Sequence, residues 1–297
     1  MLAVEWPLVR ASLGVVACAD EIESDIDKDV YAKLAALKQR VPAARLAVGA
    51  RRWAAFVDTP PPRPLSVDTP LASRAFYKLR EIQASCALPA PRVSVHLCEA
   101  PGGFVQATAL LARDDWTWTA MSLPASGGHP APASHLLPLS RGRFITADVA
   151  EHAAHLEAAS ADLVTADGAV SMDHDRLEEM HFPLLVAQTE AAVHCIAAGG
   201  TFIIKFFEAT HPDTRRWLAW VSARFDQVSI IKPCMSRPTN SERYLVARGY
   251  AAPPLGEDVE LRACAAAAAW DADTKRVLVQ LAREQAAALE RVLARVL

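Results

Sequence analysis

The sequence predicts an α/β fold, a doubly wound seven-strand sheet with helices on both faces and a helical extension at each end. Three observations carry that prediction. From Leu71 to about Tyr250, short apolar runs rich in β-branched residues alternate with stretches of helical periodicity, as in stacked β-α-β units. The chain has 297 residues, 52% apolar and 22% charged, enough to bury a full core as one large domain with extensions. One apolar run breaks into Glu99-Ala100-Pro101-Gly102-Gly103-Phe104 before helical spacing resumes, which is how a strand-to-helix turn at the ligand-binding rim of such a sheet reads.

In chain order, residues 1–56 read as a helical extension. From Ile26 to Leu37 the side chains Ile26, Val30, Lys33, Leu34 and Leu37 share one face behind the acidic start Glu21-Ile22-Glu23-Ser24-Asp25. Residues 57–70, "VDTPPPRPLSVDTP", hold too many prolines for a helix or a central strand and read as a stiff linker. The domain at 71–252 is expected to contain strands at Val93 to Cys98, Thr117 to Leu123, Arg143 to Thr146, Leu163 to Ala166, Thr201 to Phe206, Gln227 to Ile231 and Tyr244 to Arg248. Residues 253–297 form a C-terminal helical extension. Its last helix, from about Asp271, carries Leu278, Leu281, Leu289, Val292, Leu293 and Val296 on one side, a face for the domain itself, a partner or a second copy.

Composition narrows the functional classes. A net charge of -3 and a pI near 6.3 announce no polyanion partner over the whole surface, so any nucleic-acid face must be local. The six cysteines, Cys18, Cys86, Cys98, Cys195, Cys234 and Cys264, show neither C-x-x-C spacing nor a histidine cluster, which points to reduced core residues rather than a disulfide framework or a metal site. The apolar stretch Cys264 to Trp270 is far too short to span a bilayer, and Met1 to Trp6 lacks the basic start of a signal peptide, so an intracellular protein without membrane association is expected.

The glycine turn raises the question of its ligand. Gly102 and Gly103 allow backbone conformations closed to other residues, and the helix that follows begins with free N–H groups. The pyrophosphate signatures G-x-G-x-x-G and G-x-x-x-x-G-K-[ST] are absent, which leaves a different ligand or a purely structural turn.

Five stretches decide it. "EAPGGF" resembles the S-adenosylmethionine (SAM) loop of the FtsJ-like RNA 2'-O-methyltransferases, whose fold is a Rossmann-like seven-strand sheet. "SRAFYKLREI" (73–82), "DLVTADGA" (162–169), "GGTFIIKFFE" (199–208) and "KPCMSRPTNSERYLVARGY" (232–250) resemble the segments carrying that family's catalytic residues, in the family's order. The resemblance covers about Leu71 to Tyr250 and implies a Lys-Asp-Lys-Glu tetrad at Lys78, Asp167, Lys205 and Glu242. It further implies SAM contacts from Glu99, Pro101, Gly102, Gly103, Phe104, Ser122, Asp148 and Asp167, with no metal. Two positions depart from the family pattern. Ser122 stands where an acid often ends the second strand, and His96 occupies the usual acidic position, leaving Glu99 as the nearest carboxylate; His96 itself reads as a buried core histidine.

The residues make chemical sense in these roles. Lys205 sits within "FIIKFF", where burial and a second ammonium at Lys78 would lower its pKa and leave part of it a neutral amine, while Asp167 and Glu242 oppose that shift. It serves either as a general base for a ribose hydroxyl or as a stabiliser of the developing alkoxide. "HLCEAPGGF", "HFPLL" and "KPCMSRPTNSE" are most similar to the cap-specific mRNA enzymes, particularly the cap 2 type, so the implied partner is RNA, specifically capped mRNA. Arg74, Lys232 and Arg237 are the candidate RNA contacts, with Arg80 and Arg243 completing a phosphate track. No aromatic pair for a cap guanine stands out among the seven tryptophans. Methylation of rRNA or tRNA by the same chemistry, and a non-catalytic SAM- or RNA-binding scaffold, are the alternatives.

Overall fold

The computed structural model describes residues 2–7, 28–57, 70–126, 129–170, 177–251 and 272–296. All seven expected strands are present: β2 (Val93–Leu97), β3 (Thr117–Ser122), β4 (Gly142–Thr146), β5 (Ala161–Ala166), β6 (Ile196–Phe206), β7 (Phe225–Lys232) and β8 (Arg243–Tyr250). An eighth, β1 (Leu2–Pro7), corrects the wholly helical reading of the N-terminal extension. It pairs antiparallel with β7, from Leu2 opposite Lys232 to Pro7 opposite Gln227, and covers an edge that would otherwise be open. The strand order is β1-β7-β8-β6-β5-β2-β3-β4. β6, β5, β2, β3 and β4 run parallel, whereas β8 is antiparallel to both of its neighbours. The chain leaves β2 for β3 and β4 on one side and returns to β5 on the other, which opens a crevice beyond the carboxyl ends of β2 and β5.

Alternation along the strands divides the core into two faces. Val164, Phe202, Phe206 and Leu245 join Leu185 of helix α5 (Leu177–Cys195) and Trp217 and Leu218 of α6 (Pro212–Ser222). Leu163, Ile203, Tyr244 and Val246 face the other way, onto Phe76, Leu79 and Ile82 of α3 (Ala75–Ser85) and Phe104 and Ala107 of α4 (Gly103–Ala109). This period of two fixes which residues reach the rim and which stay inside.

The terminal helices pack on each other. In α1 (Lys28–Val48) the residues Leu34, Leu37, Val41 and Ala44 meet Ala282, Ala286, Leu289 and Leu293 of α7 (Ala272–Val296), while Val277, Leu278 and Leu281 of α7 enter the sheet core. Gly49, at φ 79°, ends α1, and α2 (Ala50–Val57) follows. The proline-rich linker lies outside the described residues apart from its first and last positions, as do Cys18 and Cys264. Cys86, Cys98, Cys195 and Cys234 are free thiols; Cys234 is exposed, unlike the core residue expected there. Among the described residues no helix is long and apolar enough to cross a membrane, and no group of His, Cys, Asp or Glu is placed to hold a metal ion.

Candidate active site

Four elements deliver the tetrad residues to one rim. α3 carries Lys78, the end of β5 leads into Asp167, β6 carries Lys205, and Glu242 directly precedes β8. Lys78 Nζ lies 2.7 Å from Glu242 Oε1 and donates to Oε2 at 2.9 Å. Lys205 Nζ lies 3.0 Å from Asp167 Oδ1 and donates to the Asp167 carbonyl at 2.6 Å. Burial opposes the charge on Glu242, but Lys78 and Lys205 outweigh it and hold the carboxyl at about 2.

The charge state of Lys205 differs from the sequence expectation. Burial pulls its pKa down, yet Asp167 and Glu242 more than offset that pull and leave it above the ordinary lysine value. The side chain is only 8% exposed, so these attractions act through little water. Lys205 is therefore an ammonium at neutral pH, and the partly neutral amine is overturned. What could not be weighed from sequence is how near the two carboxylates stand.

Tyr244 is a site residue that sequence reasoning missed. Its hydroxyl donates to Asp167 Oδ1 at 2.7 Å, the atom Lys205 also approaches, and its ring lies 6.0 Å from Lys78 Nζ. Tyr244 sits opposite Lys205 in the β6–β8 register and two residues after Glu242. That two-residue spacing was the available signal. Gln188 of α5 is a second missed residue: its Oε1 accepts from the Gly168 N–H at 2.9 Å and so fixes the turn after Asp167.

At the β2–α4 turn the glycines make room for the protein itself. Gly102 has φ 119°, and a Cβ there would stand 2.7 Å from Leu137; a Cβ on Gly103 would meet Ser73 Oγ at 2.3 Å and the Phe76 nitrogen at 2.9 Å. Glu99, 4% exposed, accepts from the N–H groups of Phe104 at 2.7 Å and Val105 at 3.1 Å, capping α4 from within. Burial raises its carboxyl to about 8 despite those two donors. Phe104, expected as a SAM contact, turns its ring into the core 6.0 Å from Tyr244 and is fully buried. Pro101 is half-buried in the turn, Ser122 Oγ accepts from the Ala100 N–H at 2.7 Å, and the exposed Asp148 caps the short turn after β4 through the Ala150 N–H at 3.0 Å. His96 is the core histidine expected, 0% exposed, with its ring nitrogens 2.9 Å from Ser94 Oγ and 2.8 Å from Thr165 Oγ1.

These residues fit SAM better than a phosphate ligand. A helix N-terminus anchors phosphate through free N–H groups, but two such donors of α4 are already engaged by Glu99. What remains beyond β2, β3 and β4 is a turn, a serine and the Asp148 carboxylate, suited to a cation bearing an adenine amino group.

The expected RNA contacts divide. Arg74 and Arg237 are exposed, Arg74 at the start of α3 and Arg237 in the β7–β8 connection. Lys232 instead directs its ammonium to Ser236 Oγ, the Asn240 and Glu242 carbonyls and Asn240 Oδ1, all within 3.2 Å, and so ties the loop that carries Glu242. Arg80 bonds Gln83 at 3.0 Å. Arg243 is 1% exposed, and its guanidinium reaches the Tyr31 hydroxyl of α1 rather than a surface phosphate.

Comparison with known proteins agrees with this architecture. The chain is 36% identical over 87 residues to the cap-specific mRNA (nucleoside-2'-O-)-methyltransferase of Autographa californica nuclear polyhedrosis virus, covering 29% of this chain and 33% of that protein. It is 31% identical over 183 residues to cap-specific mRNA (nucleoside-2'-O-)-methyltransferase 2 of Danio rerio, covering 54% of this chain and 25% of that protein. With the ribosomal RNA large subunit methyltransferase E of Pseudomonas fluorescens it shares 30% identity over 187 residues, 60% of this chain and 84% of that one. The chain thus spans a third or less of the two cap-specific relatives. A profile of the FtsJ-like methyltransferases matches residues 71–250, and the chain belongs to that family.

Proposed function

We propose that this protein transfers the methyl group of SAM to a ribose 2'-hydroxyl near the 5' end of capped mRNA, with Lys78, Asp167, Lys205 and Glu242 around the reacting oxygen. The observation that carries the reading is the convergence of two lysine–carboxylate pairs, at 2.7 and 3.0 Å, on one rim of the parallel sheet. When bound, SAM supplies an electrophilic methyl on a sulfonium and departs as a neutral thioether. The β2–α4 turn, Ser122 and Asp148 are the residues that would hold it. A ribose oxygen gains negative charge as it attacks, and the Lys205 ammonium is placed to stabilise that charge in a poorly hydrated setting. Asp167 and Tyr244 fix the ammonium, while the Lys78–Glu242 pair holds the opposite side, so orientation precedes reaction. The hydroxyl proton leaves to solvent as the O–CH3 bond forms.

The capped substrate is favoured by the two cap-specific relatives and by the added helical layer. The bacterial ribosomal RNA relative, matched over 84% of its length, favours a second reading in which the same chemistry acts on rRNA. Transfer of labelled methyl to short RNAs, one capped and N7-methylated and one with a plain 5' triphosphate, separates the two. We expect transfer to the capped RNA alone and loss of transfer in Lys205→Ala. Equal transfer to both RNAs would move the substrate to internal sites, and no transfer despite SAM binding would remove the catalytic reading.

A further inference from the structure

Charge is unevenly distributed over the terminal helices. The protein as a whole carries 31 basic and 34 acidic residues, yet between Lys38 and Val57 stand Lys38, Arg40, Arg45, Arg51 and Arg52 with no acidic residue among them. All four arginines are exposed. Among the described residues none of the four pairs with a carboxylate; Arg52 instead lies 5.9 Å above the Phe56 ring. With no acidic residue between them, these exposed cations on two successive helices leave this part of the surface locally positive.

Their placement relative to the tetrad gives the cluster a direction. Tyr31, Lys38 and Arg45 are spaced seven residues apart and form a single row along α1, each step about 10 Å. Tyr31 stands close enough to Arg243, the neighbour of Glu242, to feel its charge, and Lys38 pairs with Glu208, three residues beyond Lys205. The first two members of the row therefore seat on the catalytic rim. The third, Arg45, continues the row toward the α1–α2 bend, where a shallow, open surface is formed by Val48, Gly49, Ala50, Arg51, Arg52 and Ala55. Leu46, 86% exposed, stands beside Arg45 and offers an apolar contact to a base.

We infer that the α1–α2 bend is a backbone-binding track for single-stranded RNA, receiving the strand that leaves the tetrad through Arg45, Arg51 and Arg52. The inference rests on the RNA-methyltransferase reading and extends it to a surface outside the family-matched segment. Contacts of this kind read phosphate rather than sequence, and their signature is salt dependence. An acidic protein would also meet the charge, but the row starts at the rim where the ribose must lie, which favours the strand already held there.

The test compares the full chain with an Arg45→Gln/Arg51→Gln/Arg52→Gln variant. Anisotropy of a labelled single-stranded RNA, long enough to reach from the tetrad to the bend, is followed through a salt series. Losing three phosphate contacts should lower the slope of log K against log salt by roughly 2, at about 0.7 per contact for a single strand. The variant should also raise KM for this RNA while leaving KM for a trinucleotide unchanged. Arg40→Gln, on the opposite flank of α1, should keep the slope of the parent. A triple variant with the parent's affinity and slope overturns the inference, as does an Arg40→Gln variant that weakens binding equally. Methyl transfer to RNA by the parent, alongside unchanged binding in the triple variant, sinks the track alone. A parent that binds RNA through these arginines yet methylates none sinks the catalytic reading and keeps the track.

Discussion

Tyr244 is the residue whose loss isolates one interaction at the site. Tyr244→Phe keeps the ring against Phe104 and removes only the donor to Asp167 Oδ1. A buried hydrogen bond to a charged group is worth about 1.5 to 3 kcal/mol, so kcat should fall by roughly one to two powers of ten while SAM affinity holds. An unchanged kcat in single-turnover methyl transfer would show that Lys205 alone orients Asp167. Glu99 makes a separate prediction through pH. Its carboxyl sits near 8 without ligand, so it is mostly protonated at neutral pH. A bound sulfonium favours the carboxylate, binding then releases a proton, and SAM affinity should rise severalfold from pH 6 to pH 8 and level off above. Calorimetry in buffers of different ionisation enthalpy reads that proton directly; Glu99→Gln should abolish its release, and the neutral thioether product should show a weaker pH dependence. Lys78, Asp167, Lys205 and Glu242 were reached through the family resemblance of the stretches that carry them, since each alone reads as an ordinary surface or turn residue, and the fold brings the four side chains to one rim. Tyr244 was not, because a tyrosine inside "SERYLVARGY" reads as core, and its position opposite Lys205 is a fact of register.

At the scale of elements, the contact between α3 and α4 governs whether Lys78 reaches Glu242. A Cβ on Gly103 would lie 2.3 Å from Ser73 Oγ and 2.9 Å from the Phe76 nitrogen. The second of these is backbone and cannot rotate away, so Gly103→Ala must push the start of α3 outward. We expect a loss of about 1 to 3 kcal/mol, the usual range for overpacking, and methyl transfer reduced further than SAM binding because Lys78 moves with α3. Denaturation midpoints together with SAM titration separate the two effects; a fully stable and active variant would show that α3 repositions without cost. The glycines had drawn attention from sequence as a cradle for ligand, whereas the atoms nearest to them belong to Leu137, Ser73 and Phe76. Strand identity was more legible than strand extent. β6 runs from Ile196, through Gly199 and Gly200, because a register shift against β5 absorbs the break that glycines normally signal. β1 escaped notice because a six-residue run shows no decisive period and its partner strand is more than two hundred residues away in the chain.

For the molecule as a whole, the terminal helices couple two distant ends of the chain to one rim. The amphipathic pattern of α7 was legible, but its partner was not, since Leu34 and Leu289 meet only through the tertiary fold. α1 depends on α7 for its apolar cover, and it reaches the rim through the Lys38–Glu208 and Tyr31–Arg243 contacts. The sheet core, in contrast, is closed by α3 to α6 together with Val277, Leu278 and Leu281 in the first half of α7, and should survive a weakened contact between α1 and the second half of α7. Leu289→Ala, at a site 2% exposed, should cost about 2 to 5 kcal/mol of the packing between the two helices. Hydrogen exchange should then quicken along α1 and the second half of α7 and stay unchanged in β2, β5 and β6, because the layer opens below the free energy of global unfolding. The residues proposed to hold SAM lie beyond β2 and β3, away from this layer, so SAM affinity should hold. Methyl transfer to a long RNA should fall through KM, since the row from Tyr31 to Arg45 loses its seat. If exchange instead rose evenly through the sheet, the terminal helices and the core would be one cooperative unit, and the rim could not be loosened without unfolding the domain that bears the tetrad.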